Sequence, residues 1–472
     1  MSKKKVICIV LAVIILSGCV FGGLSVYKKV RTQKALELTA DAYIYSLPLV
    51  LMDITADKIT NTVEATATQA PINQFVHAQR LAGSDNKDVV LPNVDTIYTQ
   101  SFLDLSETAV ILELPKTDRF CIMQLLDAYS NTFGMIRCMD FANDRETYII
   151  TGPDYAGQIP EGMTEIKSPT AMVWVLGRTI CAGNETDATN VHAIQRSMKI
   201  YTLNQYKNGT TDKPLTGEFH AEENVNPLEH LISMPLEEYF DRANQLMVLN
   251  PPTEADKDYV AKFAAIGVGP GLDFDTALFG DQADNVRLLI LRDLVANCLE
   301  KSTRFHIQNG PWAYYGAPIG DYGTEYAFRA LVALRGFGAN PITMAVYPSA
   351  DSDSEGNTLS GSNRYVIHLD ADQIPQTDDH GFWSITAYGE DQYLIPNEMN
   401  RYCVNSQGDA IYNEDGSLDI YVSATAPEDE KLLANWLPVC DGTFTLFFRI
   451  YLPLESVLNG TWVMPDIAIA AQ

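Results

Sequence analysis

The sequence predicts an α+β protein in which two mainly antiparallel β domains, the second jelly-roll-like, are joined by a helical section. Three observations carry this. Apolar residues alternate with a two-residue period between residues 97 and 176, recur every three or four residues through 191–300, and alternate again after 341. The chain has 472 residues, too many for one ordinary core of about 100–200 residues. Its residues are 46% hydrophobic and 20% charged, which excludes a disordered chain and one built from many membrane spans.

Taken in order, the first segment is an anchor, residues 1–31. Lys3 to Lys5 precede an apolar run from Val6 to Tyr27, and Lys28, Lys29 and Arg31 follow it. Within the run, Leu16-Ser17-Gly18-Cys19 is similar to a bacterial lipobox, which implies cleavage before Cys19 and lipid on that cysteine. The run stays apolar from Val20 to Tyr27, however, and reaches the ~20 residues of an uncleaved transmembrane helix. Lipoprotein and signal anchor both remain open. Either places the rest of the chain on the extracytoplasmic face of the cell envelope, tied to the membrane.

The first β domain is expected at 35–182. A helix from Thr32 to about Asn61 opens it, with Ala35, Leu38, Ala42, Tyr45, Leu49 and Met52 at helical spacing. Strands follow at Ile97–Leu103, Ala109–Leu114, Phe120–Leu126, Tyr148–Thr151 and Met172–Leu176, separated by turn residues such as Pro115 and Gly152-Pro153-Asp154. The helical section, 183–339, places Val191, Ile194, Met198 and Tyr201 on one face. Its next helix is Leu236–Leu249, capped by Ser233 with Pro235 in the first turn. Another short helix stops at Gly267, and a long one covers Ala283–Glu300. The second β domain, 340–472, carries strands at Tyr365–Leu369, Phe382–Tyr388, Leu418–Ser423 and Phe444–Leu452, with a tight turn at Asp415-Gly416. Ala350 to Asn363 reads as an exposed loop.

Net charge is −27, from 33 Lys plus Arg against 60 Asp plus Glu. Such a surface repels phosphate backbones, so nucleic acid is excluded as a partner. No histidine or cysteine spacing calls for a metal, and no cofactor motif is present. Gly267-Val268-Gly269-Pro270-Gly271 is a helix stop: Pro270 removes an N–H that a phosphate loop needs. The six cysteines beyond the anchor show no CxxC spacing; Cys121 and Cys138 could face each other across neighbouring strands.

Chemistry concentrates in three places. In Pro92-Asn93-Val94-Asp95-Thr96-Ile97-Tyr98, Asn93 and Asp95 can hold a turn, or Asp95 and Tyr98 can enter a cleft as base and donor, with His77 upstream as a second proton carrier. In Asp127-Ala128-Tyr129-Ser130-Asn131, strand alternation puts Asp127, Tyr129 and Asn131 on one face. In the last third, Trp383 and Arg401 offer an indole and a guanidinium for stacking on a sugar or gripping a carboxylate. Each set also has a plain structural reading as turn, edge strand or core.

These residues carry a resemblance. Asn73-Gln74-Phe75-Val76-His77, Leu91 through Tyr98, Gln124 through Tyr129 and Leu176-Gly177-Arg178-Thr179 resemble the first of two domains of unknown function, numbered 1254 and 1214, that bacterial proteins combine. Phe382-Trp383-Ser384, Asn400-Arg401-Tyr402, Asn435-Trp436-Leu437-Pro438, Arg449-Ile450-Tyr451 and Gly460-Thr461-Trp462 resemble the second. The resemblance implies two β-rich units with helices between them and no settled activity. A Gly/Thr/Arg-rich loop common in that family is replaced here by Phe133 through Cys138.

The function expected is that of a membrane-tethered protein binding a small polar ligand, a saccharide or carboxylate. Asn93, Asp127, Asn131, Trp383 and Arg401 would contact it, in a cleft of the first β domain. A hydrolase or lyase is the alternative, with Asp95 or His77 as base and Tyr98 or Tyr129 as donor. A structural envelope protein is the third reading, and self-association is left open.

Overall fold

The computed structural model describes residues 30–87, 90–408 and 410–470, the side chains of 30–32 aside. The apolar run, Cys19 and both anchor readings lie outside these residues.

Helix α1, Val30–Thr60, organises the middle of the molecule. Its stretch from Gln33 is long and apolar enough to cross a membrane, yet 72% of that apolar window is buried inside the fold. Every residue from Ala42 to Met52 is buried, so its apolar surface is consumed by packing on all sides. The partners are α3 (Leu236–Leu249), the short helices at 257–266, α4 (Ala283–Ser302) and α5 (Tyr326–Gly336). Helix α2, Glu185–Ser197, is capped by Asn184 and packs Val191 against Ile97 and Cys181 of the first β unit. The capping expected of Ser233 does not occur. Its hydroxyl donates back to the His230 carbonyl at the end of the preceding turn of helix, and Pro235 occupies the cap position of α3.

The first β unit is a sandwich. One sheet has the order β1-β2-β8-β4-β5 (Val76–His77, Thr96–Asp104, Met172–Ile180, Cys121–Asp127, Thr132–Arg137). The other has the order β7-β6-β3-β9 (Thr164–Lys167, Arg145–Thr151, Val110–Pro115, Lys199–Thr202). Strand β9 falls inside the section read as helical: four residues between a helix end and the Thr202 cap are too short to show a period. Leu103, Cys121, Met123, Leu125, Val173 and Val175 face Val110, Leu112 and Ile150 across the interior. By alternation, Tyr98, Gln100, Arg178, Leu176 and Gln124 face the opposite way. There they meet the helical section and the second β unit.

That second unit also has two sheets. One runs β10-β11-β13-β19-β15-β16 (His306–Asn309, Trp312–Tyr315, Ser349–Ala350, Phe444–Pro453, Thr377–Gly389, Cys403–Asn405), with β12 (Ala345–Val346) on β19. The other runs β18-β17-β14-β20 (Trp436–Pro438, Leu418–Ser423, Tyr365–Leu369, Ile467–Ile469). Their shared core includes Trp312, Ile367, Trp383, Ile420, Leu446 and Phe448. Phe120, Ile122 and Ile180 of the first unit pack on Met344, Phe382 and Tyr451 of the second, so the two units meet over an apolar patch next to a polar band.

Candidate functional site

The polar motif at 91–98 fastens one β unit to the other. Leu91 sits at φ +53, and its carbonyl accepts from Arg449 Nη2 at 3.2 Å. The Pro92 carbonyl accepts from the Tyr388 hydroxyl at 2.7 Å. Asn93 Oδ1 accepts the N–H groups of Asp95 and Thr96, the local turn expected of it, while its Nδ2 reaches Tyr451 Oη at 2.7 Å. Val94 is buried with Tyr388 and Leu394. Asp95, 1% exposed, accepts from Ser384 Oγ at 2.6 Å and from Cys403 Sγ at 3.7 Å. Burial raises the Asp95 carboxyl above the usual range, against the pull of Arg449 and these donors.

Beside this clasp lies a second buried guanidinium. Arg178 projects from the central strand β8, where the same-face residues before and after it along the strand, Leu176 and Ile180, are apolar. Its Nη1 donates to Gln124 Oε1 at 2.7 Å and Asn340 Oδ1 at 3.2 Å, its Nη2 to the Gly338 carbonyl at 2.8 Å, and the Tyr98 ring lies 5.4 Å away. All three acceptors are neutral. Asn340 in turn donates to Tyr347 Oη at 2.7 Å. Tyr98, Tyr347 and Tyr451 lie within electrostatic reach of one another and of Arg178. Burial raises the phenols of Tyr347 and Tyr451, so both keep their protons as donors. The hydroxyl oxygens of Tyr347 and Tyr451 accept from Asn340 and Asn93, and Tyr98 stands beside Arg178. Among the described residues, none of the three protons has an acceptor. Tyr98, Tyr347 and Asn93 are half-buried, so the band is reachable from the seam between the units.

The single cleft expected from the sequence does not form. Thr96 pairs with Ile180 at one end of β8, and Asp127 pairs with Val173 at the other. Seven residues of strand separate those partners by about 23 Å. The alternation expected of 127–131 ends at Asp127. Ser130 turns at φ +70, and Asp127 accepts the N–H groups of Tyr129 and Asn131 and the Asn131 amide, so its carboxylate is spent on a turn. Tyr129 donates to the Asn250 carbonyl at 2.8 Å and packs on Tyr45 and Arg329.

Trp383 is core, edge-on to Phe448. Arg401 donates to the carbonyls of Leu433, Ala434 and Trp436 and ties a loop to β18. His77 pairs with Thr99, on the sheet face opposite Tyr98, with Nδ1 3.0 Å from Thr99 Oγ1. Of the nine expected site residues other than Cys19, the seam therefore gathers Asn93, Asp95 and Tyr98. Its remaining members are Arg178, Tyr347, Asn340, Arg449 and Tyr451, which sequence reasoning did not single out as site residues. A signal existed for two of them: an arginine in the middle of an apolar strand has to be paired or pointed at something.

Burial, with His192 nearby, pushes the His77 imidazole down to about 4. Because the folded value lies below the ordinary 6.5, the unfolded chain takes up this proton first, and stability falls as pH drops from 6.5 towards 4. In His77→Gln, urea unfolding between those pH values is expected to lose up to one proton's worth of pH slope. An unchanged slope would remove His77 from the titration.

Residues 72–202 match a family described as protein of unknown function, DUF1254, and residues 344–455 match a second, DUF1214. The VPA0106 protein of Vibrio parahaemolyticus has a similar crystal structure. Its TM-score is 0.68 at 22% identity, over 93% of this chain and 100% of that one. A putative uncharacterized protein of Burkholderia cenocepacia aligns at a TM-score of 0.44 and 12% identity, over 93% and 94%. No curated protein matches the sequence.

Proposed function

We propose that this chain, in which a DUF1254 domain and a DUF1214 domain occur together, binds a small carboxylate-bearing molecule, such as a sugar acid, in the seam between its two β units. The observation that carries the reading is the convergence of three phenolic donors on Arg178, whose acceptors are all neutral. With Arg449 the seam holds two guanidinium groups and a single carboxylate, Asp95, whose own proton affinity is raised. An oxyanion would accept from the three hydroxyls beside the charge of Arg178, whose own N–H groups stay on their neutral acceptors. Asn93, half-buried at the rim, suits a neutral hydroxyl of the same ligand. The protein is tethered on the extracytoplasmic side of the membrane; the apolar run Val6–Tyr27, its basic flanks and the lipobox-like Leu16–Cys19 support that placement.

The test is thermal melting of the full chain with simple carboxylates, uronates and the matching neutral sugars. Carboxylate-bearing compounds should raise the melting midpoint while their neutral counterparts do not. Tyr347→Phe keeps the ring and deletes one donor to a charged group, a loss of roughly 1.5–3 kcal/mol, so affinity should fall at least about tenfold. Equal shifts in wild type and Tyr347→Phe would refute the seam as the site. Product appearing in the same incubations, and abolished by Asp95→Asn, would favour the hydrolase or lyase reading with Asp95 as base and Tyr98 as donor. His77, on the opposite face of the sheet, and Tyr129, at the far end of β8, do not share in either.

A further inference from the structure

Six cysteines stand in the described residues as thiols, and two of them flank one pair of strand partners. Strands β4 and β5 are antiparallel, with Ile122 opposite Arg137. The ladder ends there: β5 passes into a short 3-10 turn at Cys138–Asp140, so the residue next to each member of the last pair is a cysteine, Cys121 on β4 and Cys138 in the turn. Both are fully buried in the core between the two sheets of the first β unit, and each thiol shifts the titration of the other. Thr179 Oγ1, from β8 on the other side, donates to Cys121 Sγ at 3.4 Å.

The last ladder pair, Ile122 and Arg137, holds its Cα atoms about 4.5–5.5 Å apart, and the cysteines that flank it, in one core cluster, stand close to the span a disulfide accepts. We propose that Cys121 and Cys138 form a disulfide in the protein as it stands in the cell envelope. The two thiols lose two protons and two electrons as the S–S bond forms. The electrons pass to the disulfide of an envelope thiol oxidase, whose own S–S bond breaks to give a dithiol. Oxidation takes place during folding, before the sheets close over the pair, because the finished core offers an oxidant no access. Among the remaining cysteines, the Cys403 thiol donates a hydrogen bond to Asp95 and Cys298 packs inside the helical core, which fits their remaining reduced. The bond joins the two strands that carry Gln124 and Thr132 beneath the seam, and so stiffens the floor of the proposed ligand site.

The inference rests on the extracytoplasmic placement proposed above, and the experiment separates the two. Full-length protein is isolated from cells without reductant, with N-ethylmaleimide present from lysis onward, then denatured, digested and mapped by mass spectrometry. The expected result is a linked pair of peptides joining Cys121 to Cys138, split by dithiothreitol, with Cys298 and Cys403 recovered as maleimide adducts. Recovery of Cys121 and Cys138 as adducts overturns the proposal. In that event, protein refolded with oxidised glutathione identifies the fault. A link formed then shows that the flanking geometry is sound and the compartment was misassigned, whereas its absence shows that the strands do not present the sulfurs to each other.

Discussion

Arg449→Met is expected to lower stability by about 3–5 kcal/mol, the cost of breaking a buried charged network from one side. The guanidinium is 4% exposed and bonds Thr386 Oγ1 at 3.0 Å, Tyr388 Oη at 2.6 Å and the Leu91 carbonyl at 3.2 Å. It also supplies the positive charge that Asp95 feels most. Methionine fills a similar volume, so the loss is electrostatic and not a cavity effect. Without the cation, the Asp95 carboxyl rises further, and the 91–95 clasp holds the second β unit through Asn93, Pro92 and Ser384 alone. Two readouts follow: a lower urea midpoint at pH 7, and faster proteolysis within 91–95. Asp95→Asn placed on top of Arg449→Met should recover part of the loss, because it removes the charge left unpaired. If the double variant is no more stable than the single one, Asp95 and Arg449 do not act as a unit.

That clasp shows where the sequence was legible and where it stopped. Strands 365–369 and 418–423 and helix 236–249 form at the residues their periods indicate, because each buries one face against a single neighbouring layer. Asn93 likewise holds the turn its side chain dictates. The second commitment of that same residue, to Tyr451, spans 358 positions of sequence, and nothing local encodes it. Strand alternation failed at 127–131 for a related reason. Asp127 can serve its own turn with three donors at hand, and a local bond of that kind interrupts the two-residue period. Polar residues close in sequence therefore identified the motif; the arginines isolated inside apolar strands, Arg178 and Arg449, carried a signal for what the motif faces that the reading of the sequence did not use.

The other end of β8 carries the second large effect, at Arg329. This residue of α5 is 1% exposed, and its guanidinium stands 5.3 Å from the rings of Tyr45 and Tyr129 and 5.4 Å from that of Tyr326. Its contact with the Tyr45 carbonyl is long, 3.4 Å, and its Nε has no acceptor among the described residues. Hydrogen bonds alone do not explain such a cation; the three π faces and the buried carboxylates of Asp127 and Asp256 around it do. Asp256 is already bound by Tyr326 at 2.7 Å and Thr253 at 2.8 Å. Arg329→Met should therefore cost about 3–5 kcal/mol at pH 7, by leaving the two carboxylates without their cation. Burial already holds Asp127 above its ordinary 3.8, and losing Arg329 raises it further. A carboxyl with a raised folded pKa binds its proton more tightly in the folded state, so the variant regains stability as pH falls from 7 towards 4. Urea unfolding at pH 7 and pH 5 tests this: the gap to wild type should narrow at pH 5. A constant gap would assign Arg329 to packing of its stem alone. Because α1 supplies Tyr45 and leads back to the segment proposed as the anchor, a variant loosened here should shed that helix first, detectable as early hydrogen exchange across Ala42–Ile54.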